Sequence, residues 1–201
     1  MSAYEVNFSD WIQRAFRLYV DNIAVLIIAS LITVVLSVAS FSVLAGPMVA
    51  GLLGIVLRAM DREGPKPEVI QLFDGFKVFL PALLFSVGLS LSGGILMAMF
   101  RYIPVIGLPI GYGLVVGLVT LTLFTMPHIV EGGLDLVSAL KKSVEMIRPA
   151  LLPMMGYTLV IGILGAVGVM ALGIGIAVTM PFYLCGQAVA YRAVLRSTTG
   201  G

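Results

Sequence analysis

Charge is scarce in this sequence: only 11% of its 201 residues are Asp, Glu, Lys or Arg, against about 25% in ordinary soluble domains. A water-soluble surface cannot be built from so few ionised groups, and those present are bunched between long uncharged stretches. Cysteine occurs once, at Cys185, so no intrachain disulfide can form. Its apolar setting, YLCGQAVAY, suits a small buried hydrophobe better than a reactive thiol. Histidine also occurs once, at His128 in Met126-Pro127-His128, with Glu131 one turn on. One imidazole and one carboxylate make at most half a metal site, so an interfacial hydrogen-bonding histidine is expected and no metal or cofactor. A net charge of +2 with no continuous basic stripe argues against nucleic acid as a partner. There is no P-loop, and no glycine fingerprint follows a strand.

What the chain has in abundance is apolar length. Hydrophobic residues make up 60% of it and mean hydropathy is +1.10, so the missing polar surface is expected to face lipid. Uncharged intervals run from Asn22 to Leu57, Val78 to Phe100, Tyr102 to Val130 and Pro149 to Tyr191. At about 20 apolar residues per crossing, the first and last hold a hairpin each and the middle two hold one span each. The spacing predicts six transmembrane helices near 23–43, 46–60, 79–100, 106–129, 150–171 and 174–193. A cleavable leader ending near Ala39 and Ser40 is not expected, because the residues before Ile23 are long, mixed in charge and helically patterned.

In this topology Arg14, Arg17, Arg58, Arg62, Lys66, Lys77, Lys141, Lys142, Arg148, Arg192 and Arg196 share one face, leaving Arg101 opposite. The shared face is expected to be cytoplasmic, with both termini on it. The acidic residues fall there too. The turns at Ser42–Gly46 and Gly173–Gly175 carry no charge, so a full crossing and a re-entrant hairpin packed against protein both remain open.

Three amphipathic lead-in helices precede the three hairpins. Phe8, Trp11, Ile12, Ala15, Phe16 and Tyr19 form the first apolar stripe, opposite Asp10, Gln13, Arg14, Arg17 and Asp21. Val69, Leu72, Phe73, Phe76 and Phe79 form the second; Leu134, Val137, Leu140, Val144, Ile147 and Leu151 form the third. Each suits either direct lipid contact at the interface or packing as a cytoplasmic helix. The first and last units share a signature: Pro47 followed by Arg58-Ala59 is echoed, at the same spacing, by Pro181 followed by Arg192-Ala193. A parallel internal pseudo-repeat is expected, with units near 8–60, 68–130 and 133–195 in a single all-α transmembrane domain spanning 1–201, and a short tail at 196–201. Glycines at 107, 111, 113 and 117 and at 162, 165 and 168 would let helices approach closely.

The segments GPMVAGLLGIVLRAMDREGPKP, LFDGF, MPHIVEGG, SALKKS and GIGIAVTMPFYLCGQAVAYRAV, taken together, resemble a loose group of bacterial six-helix membrane proteins of unknown function. The group includes the YciC-like proteins and the membrane domain found beside some glycerophosphodiester phosphodiesterases. The resemblance implies a bacterial cytoplasmic (inner) membrane location and a domain that accompanies other activities. It carries over no catalytic residue, and none of this chain is expected to form a phosphodiesterase domain.

The remaining candidates are weighed by their chemistry. Ion-coupled transport needs an ionisable group at depth, and no Asp, Glu, Lys or His falls in the interior of an expected span, His128 lying at the end of the fourth. Gln187, Tyr157, Thr158, Ser86 and Ser90 are the strongest intramembrane polar groups, suited to bonding between helices. Met97, Met99, Met154 and Met155 read as core fillers rather than copper ligands. A lipid-processing enzyme would need a rim carboxylate cluster, for which Glu131, Asp135 and Asp74 are the candidates. Trp11, Arg14, Arg17, Arg58, Arg101, His128 and Arg192 are the expected interfacial or lipid-contact residues. The reading that follows is a non-catalytic membrane scaffold or accessory subunit that binds lipid, a membrane protein partner or a second copy of itself. The alternative is a channel or carrier for an uncharged or lipidic solute.

Overall fold

The computed structural model describes residues 6–61, 66–103, 106–166 and 174–199. Arg62, Gly168 and Gly173, all used above, lie outside them. Among the described residues every regular element is a helix.

Helix α1 (Phe8–Asp21) starts where the Asn7 side chain accepts the Asp10 N–H at 3.1 Å. It ends at Asn22, whose side-chain amide donates to the Leu18 carbonyl at 3.0 Å. There the chain bends by 86° into α2 (Ile23–Ala39). The turn to α3 (Ala45–Met60) puts Phe41 and Ser42 in left-handed backbone, φ 50° and 69°, a conformation costly for residues with a side chain. Phe41 is 94% exposed at its tip.

Helix α3 is the core. Met48, Ala50, Leu52, Leu53, Ile55 and Val56 have no exposed surface, as expected of a helix that is apolar on every side. Around it stand α2, the 3-10 helix Val69–Val78, α4 (Phe79–Phe100), α6 (Thr125–Gly132) and α9 (Ile174–Thr199). Beyond them lie α5 (Gly107–Leu121), α7 (Leu136–Ile147) and α8 (Leu151–Ala166).

The second lead-in corrects an expectation. Its stripe reads as an α-helix, but the segment winds as a 3-10 helix for ten residues. With three residues per turn, positions i and i+3 eclipse. Phe73, Phe76 and Phe79 therefore stack in a column, ring centroids 6.3 and 6.1 Å apart, while Leu72 and Gly75 face inward. Close approach to α3 explains the arrangement: a Cβ on Gly51 would land on the Leu72 carbonyl, and one on Gly75 on the Pro47 carbonyl.

The other two lead-ins pack on protein. Trp11, expected at the lipid interface, is 5% exposed with its ring edge-on to Tyr157 at 5.2 Å; Ala15 and Tyr19 are buried beside it. Phe16, on the same predicted stripe, is 58% exposed. In α7 the buried stripe is Ala139, Ser143, Met146 and Ile147, and Val137 points outward. The tail expected from residue 196 instead continues α9 to Thr199.

Among the described residues, three segments are long and apolar enough to cross a membrane: Val69–Phe100, Gly107–Gly132 and Leu136–Ala166, of mean hydropathy 2.0, 1.9 and 1.6. The bent pair α1–α2 is a fourth if counted as one span. At 1.5 Å per residue, α2 and α3 measure about 26 and 24 Å, somewhat short of a hydrocarbon core of about 30 Å.

Candidate functional site

Pro127, in the first turn of α6, and Pro181, inside α9, each lack the N–H that a continuous helix would donate to the carbonyl four residues earlier. Pro127 orphans the Leu123 carbonyl, at the break between α5 and α6. The Gln187 side chain on α9 donates its amide to that carbonyl. Pro181 orphans the Ala177 carbonyl inside α9, and the Ser30 hydroxyl of α2 donates to it. The break at 122–124 draws a third side chain: Ser143 of α7 donates to the Leu121 carbonyl at 2.7 Å and accepts the Phe124 N–H at 3.1 Å. Non-helical backbone at membrane depth has to be satisfied in this way from within the protein. Tyr157 of α8 adds a bond to the Gly186 carbonyl at 2.8 Å, and Thr179 one to the Gly165 carbonyl at 2.6 Å, tying α8 to α9.

Two ion-pair groups share one end of the molecule. Arg192 contacts Glu131 at 2.6 Å and Asp61 at 3.2 Å, gathering the ends of α3, α6 and α9. Arg58 contacts Asp74 at 2.8 Å, and Lys77 reaches the same carboxylate at 2.7 Å. His128 lies just inside the first group, 5% exposed, edge-on to Tyr191 at 5.1 Å. Its Nδ1 is 2.7 Å from the Phe124 carbonyl, so that nitrogen carries the proton. The candidate carboxylates therefore do not converge: Glu131 and Asp74 hold separate arginines, and Asp135 caps α7 through the Ser138 N–H at 3.2 Å. Hydrogen bonds from Ser138 hold the exposed Asp135 carboxyl below its usual range. Among the described residues, no three His, Cys, Asp or Glu side chains come together.

Three cavities surround α5. One of about 300 Å³ lies between α3, α4, α5 and α9, with Ser86, Ser90, Thr122 and Gln187 among otherwise apolar walls. Ser86 and Thr122 are bonded back to their own helices, at 2.9 Å each. A second, of about 250 Å³, lies between α4, α5 and α7 and shares Phe85, Leu89 and Thr122 with the first. A third, of about 270 Å³, lies between α5, α8 and α9 and shares Val119 and Tyr183. Each is at or below the small end of the range for ligand pockets, about 300–1,000 Å³, a size suited to part of a hydrocarbon chain.

Of the other interfacial candidates, Arg14 pairs with Asp10 one turn away at 2.9 Å. Arg17 and Arg101 are exposed, Arg101 capping the end of α4. The structure thus brings Arg192 and His128 to one place, Arg58 to a neighbouring group, and leaves Trp11, Arg14, Arg17 and Arg101 apart. Ser30 and Ser143 were not singled out in the sequence. The signal available was a mid-run proline, which demands a donor without saying which hydroxyl supplies it. No family model, curated protein or solved structure matches the chain.

Proposed function

We propose that this chain is a non-catalytic, six-pass membrane scaffold or accessory subunit of the bacterial cytoplasmic membrane, with both termini cytoplasmic. One observation carries the reading: four buried polar side chains hold backbone together rather than face one another. Gln187, Ser30, Ser143 and Tyr157 each bond a main-chain carbonyl of another element, an arrangement that builds a stable frame and commits these hydroxyls and this amide to structure. The helices α2, α3, α4, α5–α6, α8 and α9 coincide with the six apolar segments. The right-angle bend at Asn22 suits α1 lying along the membrane plane while α2 crosses.

The pseudo-repeat and the kinship with YciC-like proteins belong to the same proposal. Supporting the repeat, Arg58 and Arg192 both end in ion pairs, Arg58 with Asp74 and Arg192 with Glu131 and Asp61. Against strict equivalence, Pro47 sits in the first turn of α3 while Pro181 is internal to α9.

Isolation from native membrane in polymer-bounded discs is the test, with mass spectrometry of what accompanies the protein. A stoichiometric protein or lipid companion is expected, and repeated recovery of the bare chain would overturn the scaffold. For topology, a cysteine replacing Leu44 should label from the periplasmic side; failure to label there would make α2–α3 re-entrant.

A second reading, a carrier for an uncharged or lipidic solute, draws on the three cavities in series around α5. Thr158, whose buried hydroxyl has no hydrogen-bond partner, lines the one between α5, α8 and α9. Flux of a labelled lipid in proteoliposomes, slowed by Gly162→Leu in that cavity, would favour it over the scaffold.

A further inference from the structure

The crevice between α4, α5 and α7 has mainly aliphatic walls: Leu84, Leu89, Leu118, Leu136 and Leu140 line it, with the hydroxyls of Ser92 and Thr122 among them. Gly88 also lines it, and a Cβ there would meet nothing within 4 Å. Its floor on one side is α7, and α7 fixes its depth. Lys141, Lys142, Glu145 and Arg148 are exposed along that helix, and charges of this density rest at the headgroup level because hydrocarbon excludes them. The crevice therefore opens where lipid headgroups lie.

The distribution of charge around α7 is uneven. Successive residues are rotated by about 100°, so Lys141 and Arg148 share a flank, next to the exposed Val137 and half-buried Val144 and beside the crevice-lining Leu140. Lys142 is rotated a further turn of about 100° from Lys141, away from Leu140 and the crevice. Among the described residues, Lys141 and Arg148 form no ion pair. Glu145 is the one acidic residue on the exposed face of α7, leaving that face net positive.

We infer that this crevice is a binding site for one anionic phospholipid, its acyl chain against Leu84, Gly88 and Leu136 and its phosphate on Lys141 and Arg148. The inference rests on the membrane-scaffold reading and names the lipid companion. Charge complementarity selects the occupant: a second copy docked through the same flank would set Lys141 and Arg148 against their own like charges, whereas a phospholipid meets apolar walls and basic flank together.

The experiment is native mass spectrometry of the full chain from detergent, titrated with phosphatidylglycerol or with phosphatidylcholine of the same chains. Phosphatidylglycerol should be retained preferentially. Lys141→Gln with Arg148→Gln should weaken its retention roughly thirtyfold, as two near-surface cations imply, and leave phosphatidylcholine unchanged. Lys142→Gln should have a much smaller effect. Gly88→Leu, which fills the crevice, should weaken both lipids.

Both double-variant residues are on the surface, so folding does not confound the charge test; the emission of Trp11, on the remote helix α1, verifies it for Gly88→Leu. Equal retention of the two lipids by the unaltered chain, or phosphatidylglycerol retention indifferent to the double variant, would overturn the site. So would a lipid-free dimer that Gly88→Leu dissolves. A protein companion recovered without any bound lipid would end this inference and leave the scaffold standing.

Discussion

The side-chain amide of Gln187 donates to the carbonyl of Leu123, taking the place of the N–H that Pro127 lacks. A break that would leave a bare carbonyl in an apolar interior becomes a tie between α9 and the junction of α5 and α6. Gln187→Leu should lower stability by about 1 kcal/mol, the scale of interhelical bonds in membranes. In a Pro127→Ala background, where the helix supplies its own donor, the same change should cost clearly less. A double-mutant cycle on thermal unfolding in detergent measures the difference; strictly additive effects would refute the pairing.

Ser143 makes two bonds to the same break, one as donor and one as acceptor. Ser143→Ala should therefore destabilise by about 1–3 kcal/mol, since both the Leu121 carbonyl and the Phe124 N–H lose their partner. Hydrogen exchange should locate the loss at residues 121–125 before any other helix opens.

Trp11 ties the first lead-in to α8 through its contact with Tyr157. Trp11→Ala should cost about 3–5 kcal/mol if α1 is docked as the structure shows, and Trp11→Phe much less. Accessibility of a cysteine replacing Ala15, buried in the same face, should rise in the alanine variant alone. A tryptophan lying in lipid would produce neither effect.

The Asp135 cap gives α7 a pH dependence of known sign. Its carboxyl titrates lower in the folded chain than when unfolded, so its stabilising contribution is complete above the usual carboxylate range. That contribution disappears as pH falls through the depressed folded value. Protection of the Ser138 amide, its exchange rate compared with the intrinsic rate at the same pH, should fall on acidification in that window. Asp135→Ala should show low protection at all pH values and lose the transition.

Arg192 is less exposed than either of its partners, and it joins three helix ends. Arg192→Gln should lower stability by about 0.5–1 kcal/mol, more at low salt than at high. Arg14→Gln, at an exposed pair within α1, should change little.

Apolar content alone determined that the chain is helical and where its long helices run, because a segment such as Phe79–Phe100 has no other way to satisfy its backbone without water. The edges of α3 and α4 follow from the same runs. What the helices do to one another was decided by tertiary structure. Periodicity marked Trp11 as apolar-faced, yet lipid and a protein core reward the same face, and only packing on Tyr157 chose between them. Spacing could not separate a 3-10 from an α-helical winding in 69–78, since Phe73, Phe76 and Phe79 fit both; contact with Gly51 chose. Prolines 127 and 181 declared that two carbonyls needed donors. That Gln187 and Ser30 supply them depends on long-range geometry, because a hydrogen bond is set by distance in space and the sequence records only distance along the chain.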